Sequence, residues 1–226
     1  MPYFYVISTP IGNLEDITLR ALRVLKEVDL VLCEDTRVTG KIFSHHGIST
    51  PKMSYHAQSG EAKVEIILDE ISQGKNIALV TDAGTPGISD PGSLLISQVR
   101  AQYPDLQIIS IPGASALTAA LAIAGVPTHE FIFLGFMPHK KGRETLFKEI
   151  ATSERTMVFY ESTHRIIKTL ESLAEHLKEK NKKVTLVREI TKIYEEVIQG
   201  TAEEVLATLI SIPEKQKGEF VVIVSE

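Results

Sequence analysis

The chain is 226 residues long, 43% hydrophobic and 23% charged, with one cysteine and no tryptophan. That describes an ordinary globular protein of one large or two small domains, and it excludes a disulfide framework and a cysteine-based metal site. Its 24 basic residues stand against 29 acidic ones, a net charge of −5, which argues against wholesale coating of nucleic acid and makes any polyanion contact local.

No apolar run approaches the ~20 residues of a membrane span, and the first residues carry no positive segment of a signal peptide. A cytoplasmic compartment is the expectation. Residues 1–126 hold 9 basic against 13 acidic side chains, net −4, whereas 127–226 hold 15 against 16, net −1.

A strand over 4–8 leads into the turn 9–16, a standard position for a ligand-contacting loop in an α/β unit. The turn lacks G-x-G-x-x-G, which disfavours an ordinary dinucleotide fold. A helix follows, with Ile17, Leu19, Leu22, Val24, Leu25 and Val28 as its apolar stripe and Asp16 or Thr18 as its cap. The apolar strand 30–33 places Cys33 as a packed thiol rather than a nucleophile. It ends in Glu34-Asp-Thr-Arg37, which is either the polar rim of a site or a helix cap with a local Arg–carboxylate pair. A helix over 38–46 carries His45 and His46, without a partner at metal-ligand spacing, so no metal is expected. A short strand near 52–55, a turn at 56–60 and a helix over 61–72 ending at Gly74 come next.

The strand 76–81 then opens the most distinctive loop. Residues 82–92 contain three glycines, two prolines and two aspartates in eleven positions. Glycine permits positive φ and close backbone approach, and proline fixes φ. Turn chemistry alone accounts for such a composition, but the loop's length and its two aspartates point to a ligand site at a strand's carboxyl end. After a helix over 93–101, the strand 106–111 runs into Pro112-Gly-Ala-Ser-Ala116, a second strand–glycine turn–helix junction. Ser115 can cap the alanine-rich helix 117–124. The break Gly125-Val-Pro-Thr128 sets a domain boundary, giving 1–126 and 127–226.

The second half restarts with a strand over 130–134 and the basic loop 135–143. There His139, Lys140, Lys141 and Arg143 form the best candidate polyanion contact, against the alternative of a solvated loop. A strand over 156–160 ends at Glu161-Ser-Thr-His-Arg165, which opens a helix over 166–177. Another over 184–187 ends at Arg188-Glu-Ile-Thr-Lys192. A strand over 196–199, a helix over 202–210 and a strand over 220–224 complete the chain. Each half reads as an α/β/α layer structure, with polar clusters at strand carboxyl ends and a cleft between the halves.

Taken together, Ser8-Thr-Pro-Ile-Gly-Asn-Leu-Glu-Asp-Ile-Thr18, Glu34-Asp-Thr-Arg37, Asp82-Ala-Gly-Thr-Pro-Gly-Ile-Ser-Asp-Pro-Gly92 and Pro112-Gly-Ala-Ser-Ala116 resemble the tetrapyrrole-methylase superfamily. Gly135-Phe-Met-Pro, Glu161-Ser-Thr-His-Arg165, Arg188-Glu-Ile-Thr-Lys192 and Gly218-Glu-Phe-Val-Val222 are similar to its branch that methylates a cytidine 2′-hydroxyl of 16S ribosomal RNA. The resemblance implies a class III methyltransferase, a homodimer of two-domain α/β subunits with S-adenosylmethionine in the interdomain cleft. It implies Pro10, Ala83, Gly84, Thr85, Ile88, Ser115 and Ala116 at the cofactor, with Glu161, Gly218 and Glu219 approaching it from the second domain. Two departures stand out. Thr163 replaces the usual proline, and His56-Ala-Gln-Ser-Gly60 replaces an acidic, histidine-rich run.

A ribose hydroxyl is a weak nucleophile, so methylating it needs a nearby base or strong orientation. Glu161, His164, Glu189 and Lys192 (if burial lowers its pKa) are the candidates, with no base singled out. Arg37, Arg165 and Arg188 suit phosphate or carboxylate clamping, or buried pairing with Asp35, Glu161 or Glu189. Two rival functions remain: a corrin or porphyrin methyltransferase of the same fold, and a non-catalytic ribosome-binding factor.

Overall fold

The computed structural model describes residues 2–226. The chain divides into two compact units between Ser115 and Ala116. The first runs through β1 (Tyr3–Ile7), α1 (Leu19–Glu27), β2 (Leu30–Cys33), α2 (Thr36–His46), β3 (Lys52–Ser54) and α3 (Glu61–Ser72). It ends with β4 (Ile77–Leu79), α4 (Gly92–Gln102) and β5 (Gln107–Ile111). Its strands lie in the order β3-β2-β4-β1-β5, every pairing parallel. Parallel neighbours need crossover connections, and the helices supply them on both faces.

Strand periodicity divides the core. Ile7, Val31, Cys33, Ala78 and Ile111 pack with the apolar faces of α1 and α2. Phe4, Leu30, Leu32, Ile77 and Leu79, their alternates along the same strands, pack with α3 and α4. Cys33 is buried, as the sequence suggests, and burial pushes its thiol pKa up. Of the two candidate caps for α1, Thr18 is the one used, its hydroxyl accepting from the Ala21 amide at 3.0 Å. Asp16 instead closes a short 3-10 turn, Leu14–Asp16. Leu19, expected in the buried stripe, is 85% exposed because it occupies the first helical position, off the face that α1 buries.

The second unit contains α5 (Ala116–Ala124), β6 (Phe131–Phe136), α6 (Arg143–Thr152), β7 (Thr156–Ser162) and α7 (Ile166–Leu177). β8 (Lys183–Arg188), β9 (Glu196–Gly200), α8 (Ala202–Ser211) and β10 (Glu219–Ser225) follow. Its sheet has the order β6-β7-β10-β8-β9 and is mixed. Only β6 and β7 pair in parallel, while β10 runs antiparallel to β7 and β8, and β8 to β9. Phe147 and Ile150 of α6, Leu170 and Leu173 of α7, and Val205 and Leu209 of α8 share one core with the sheet. On the other face α5 sets Ala120, Leu121 and Ala124 against Val158, Val187, Val221 and Ile223. The compact unit therefore begins at Ala116, upstream of the glycine break read from the sequence, because the small residues of α5 pack closely on this sheet. Each unit by itself is a sheet with helices on both faces. Among the described residues, no helix is long and apolar enough to cross a membrane.

Candidate active site

In the first unit, three loops meet beyond the carboxyl ends of β1, β4 and β5, held together by backbone and hydroxyl bonds. Thr9 and Gly84 exchange both backbone hydrogen bonds, at 2.9 and 3.1 Å, forming an isolated antiparallel bridge between the first loop and the glycine-proline loop. The Thr9 hydroxyl donates to the Thr81 carbonyl at 3.0 Å. Thr85 Oγ1 donates to the Ala114 carbonyl at 3.3 Å, which leaves the Ser8 hydroxyl to donate to Thr85 Oγ1 at 2.9 Å. Gly84 has φ +85°, a conformation that excludes ordinary side chains. A Cβ on Gly113 would sit 3.0 Å from Ser8 Cβ, so the third loop needs glycine to approach the first.

Asp90 shapes the rest of the glycine-proline loop. Its two carboxylate oxygens accept from the amides of Gly87 at 2.7 Å and Gly92 at 2.6 Å. Ser89 between them is held at φ 63°. Asp82 accepts from the Asp35 amide at 3.0 Å, tying this loop to the end of β2. Glu34 at that strand end has its pKa raised, first by burial and then by the charges of Asp82 and Asp90. Arg37 is 88% exposed and turns back on Asp35 in a local pair at 2.7 Å. The bonds from Arg37 hold the Asp35 carboxyl down at about 2. Of the two readings of Glu34-Asp-Thr-Arg37, the cap with a local pair is present, since Asp35 also accepts from the Arg37 amide at the start of α2.

In the second unit the strand-end loops are held by charge. Glu161 lies in β7 with its side chain fully buried. Its Oε1 is 2.7 Å from Arg165 Nε and accepts from the Ser162 amide at 2.8 Å. Its Oε2 accepts from the Thr169 hydroxyl at 2.7 Å and lies 3.7 Å from Arg143. Arg165 and Arg143, each 17% exposed in the side chain, therefore pair inward. His139, Lys140 and Lys141 are exposed on the loop that precedes Arg143, and His164, three residues after Glu161 in the chain, is exposed.

A neighbouring cluster is centred on Glu189, which sits at φ 50°, with Thr191 at φ 65°. Glu189 Oε1 accepts from Lys192 at 2.9 Å and from the Glu219 amide at 3.0 Å, and Lys192 also reaches Glu219 Oε2 at 2.9 Å. Burial works against ionisation of both groups, yet the bonds between them prevail: the Glu189 pKa falls and that of Lys192 rises. Gly218 has φ +112°, and a Cβ there would come within 2.6 Å of the Glu189 side chain. Thr163, at the family's usual proline position, anchors this glycine twice, donating to its carbonyl at 2.6 Å and accepting from its amide at 2.9 Å. Arg188 is buried at the end of β8 and donates to the carbonyls of Tyr194 at 3.3 Å and Lys217 at 3.1 Å. Its ion-pair partner is Glu196 at 3.4 Å, where the sequence suggested Glu189.

The structure thus brings Pro10, Gly84, Thr85 and Ser115 onto adjoining loops, with Pro10 buried and Ala83 and Ile88 exposed. Ala116 starts α5, which packs within the second unit. Ser8 and Thr9 escaped the sequence reading as individual residues, and Asp90 was read there only as one of the loop's two aspartates. Their signal was the hydroxyl pair before Pro10 and the aspartate preceding a Pro-Gly helix start. Of the four candidate bases, Glu161 is closed off, Glu189 is ion-paired and Lys192 is held as a cation. His164 keeps an exposed ring.

Comparison with known proteins agrees with this architecture. The family profile of the Tetrapyrrole (Corrin/Porphyrin) Methylases matches residues 3–206. Among solved structures, the methyltransferase CobJ superposes with a TM-score of 0.71 at 20% identity, covering 100% of this chain and 95% of that one. The cobalt precorrin-4 methyltransferase CbiF gives 0.69 at 18% identity, covering 98% and 94%. These two likenesses bear on the fold alone. Sequence relatives are much nearer. A protein of Haemophilus influenzae named ribosomal RNA small subunit methyltransferase I is 43% identical over 97% of this chain and 77% of its own length. Its namesake in Thermotoga maritima is 40% identical over 97% of this chain and 96% of its own. With two α/β/α units, glycine loops at strand carboxyl ends and relatives of this closeness over nearly the whole chain, the chain belongs to the ribosomal RNA small subunit methyltransferase I family of the tetrapyrrole methylases.

Proposed function

We propose that this chain transfers the methyl group of S-adenosylmethionine to the ribose 2′-hydroxyl of a cytidine in the 16S RNA of the small ribosomal subunit. The observation that carries the reading is the 40–44% identity, over nearly the whole chain, to relatives named ribosomal RNA small subunit methyltransferase I. In this reading the protein acts in the cytoplasm as a homodimer, with exposed Ile193 and Tyr194 among the apolar side chains available to a partner.

The loops of the first unit fit the cofactor. Gly84 and Gly113 bring backbone close without side chains, exposed Ile88 offers an apolar face, and the carboxylates of Glu34, Asp82 and Asp90 favour a cationic ligand. When bound, the cofactor supplies an electrophilic methyl carbon on a positively charged sulfur. The chain's own part is to orient the hydroxyl and accept its proton. His164 is the proton acceptor in this reading, because the other three candidates are committed to bonds that weaken them as bases. Lys140 and Lys141 bind phosphate, with His139 beside them.

Incubation with radiolabelled S-adenosylmethionine and unmethylated small subunits tests the reading: label in a single 16S nucleotide is the expected result, and no transfer refutes it. Methyl transfer to a corrin or porphyrin precursor would favour the tetrapyrrole alternative, for which no observation beyond the shared fold speaks. A His164→Gln variant that still binds the cofactor but turns over at an undiminished rate removes His164 from the mechanism.

A further inference from the structure

We infer that Glu161 is a positioning residue that fixes the backbone of the basic loop and thereby sets affinity for the RNA substrate. The inference rests on the function proposed above. Its starting point is the pair of consecutive carbonyls at the base of that loop. Arg165 donates to the Met137 carbonyl at 2.6 Å, and Arg143 donates to the Pro138 carbonyl at 3.2 Å. The two guanidinium groups share one counter-charge, Glu161, which holds Arg165 through Oε1 and Arg143 through Oε2. Thr169 completes the ring, accepting from Arg143 at 2.6 Å and donating to Glu161 at 2.7 Å.

The placement of Arg143 shows why the carboxylate is needed. Arg143 is the first residue of α6, and Gly142 before it is left-handed, at φ 84°, with no side-chain cap. A cation at a helix N-terminus opposes the helix dipole. Two guanidiniums that are mostly buried also repel each other. A single buried anion between them removes both penalties and directs their remaining donors at residues 137 and 138. Lys140 and Lys141 then leave from a backbone pinned on one side at 137–138 and on the other at Arg143. A loop ordered before binding loses less freedom when it meets phosphate. Glu161 cannot itself touch RNA, because its side chain has no exposed surface.

The test is a cycle of variants in the methyl-transfer assay, with cofactor affinity measured separately by calorimetry. Glu161→Gln keeps the side chain's shape and removes the charge. It is expected to raise KM for small subunits about tenfold while kcat and the Kd for S-adenosylmethionine stay within about twofold. The exposed pair Lys140→Ala/Lys141→Ala raises KM to a similar extent. Adding Glu161→Gln to it should change KM by no more than about twofold, since the loop has little left to present. Fully additive effects overturn the inference. So does a fall in kcat at unchanged KM, which marks a catalytic group, or a weakened cofactor Kd, which marks a cofactor contact. Should Glu161→Gln fail to fold, Arg143→Met leaves the Glu161–Arg165 pair intact and is read through the same cycle. Absence of transfer by the unmodified protein would count against the proposed function, whereas transfer with additive variants counts against the role of Glu161 alone.

Discussion

Replacing Thr163 by valine isolates the latch between the β7–α7 junction and the turn before β10. Valine matches threonine in shape and deletes the hydroxyl. It thereby removes the donor to the Gly218 carbonyl at 2.6 Å and the acceptor of the Gly218 amide at 2.9 Å. Each bond contributes about 0.5–1.5 kcal/mol net, and Gly218 is only half-buried, so water recovers part of the loss. A destabilisation of about 1–2 kcal/mol follows. With a urea dependence of about 2–3 kcal/mol per molar, the unfolding midpoint should fall by roughly 0.5 M. The chain has no tryptophan, so far-ultraviolet circular dichroism is the appropriate probe. Thr163→Ser retains the hydroxyl and should recover most of the difference. A Thr163→Val midpoint within about 0.1 M of the parent refutes the latch.

Gly113→Ala should push on Ser8, whose hydroxyl holds Thr85, and weaken S-adenosylmethionine binding about five- to tenfold by calorimetry at a stability cost of about 1 kcal/mol. Arg188→Met leaves the carbonyls of Tyr194 and Lys217 without their donor, and chemical unfolding should show a loss of about 2–4 kcal/mol. His176 has its pKa raised, chiefly by donating to the Ser172 carbonyl and also by its bond to Glu144 at 2.8 Å. A raised folded-state pKa gives stability that is full below the unfolded value and lost as pH rises through the folded one. His176→Gln should therefore lower the melting temperature more at about pH 5.5 than at pH 8, and an equal loss at both would contradict the assignment.

The local features of the site were legible in the sequence because their causes are local. The run 82–92 declares its own geometry through glycine, proline and aspartate, and Gly84, Gly87 and Ser89 do take positive φ there. Strand ends were placed well for the same reason. What sequence patterns do not carry is pairing between distant residues. Arg188 lies beside Glu189 in sequence but reaches Glu196, because the antiparallel register sets Arg188 opposite Glu196. Pairing of Glu161 with nearby Arg165 could be read from the sequence, whereas the Thr169 hydroxyl and the second cation, Arg143 from the start of α6, could not. The mixed second sheet was hidden likewise. Strands alternating with helices suggest parallel order, which the insertion of β10 between β7 and β8 and the antiparallel pairing of β8 with β9 both break.

The two units fix their loops by different means, and in the proposed reaction the difference has a physical sense. Around Ser8, Thr9, Gly84, Thr85 and Ala114 every holding bond is between neutral groups. The carboxylates that brace the rest of the glycine-proline loop, Asp82 and Asp90, accept from backbone amides, so their negative charge is left to attract a cationic ligand. Around Glu161 and Glu189 the loops are braced by ion pairs whose anions point inward. Burying such pairs is costly and adds little stability over apolar packing, so stability alone does not explain them. They allow a backbone segment to be held rigid from beneath by its own arginines while Lys140 and Lys141 stay free to meet phosphate. An apolar brace would hold the loop equally well but could not direct two guanidiniums onto consecutive carbonyls. The anion at position 161 thus serves Arg143 and Arg165, and in the proposed reaction substitutions there should be felt first in the binding of RNA by Lys140 and Lys141.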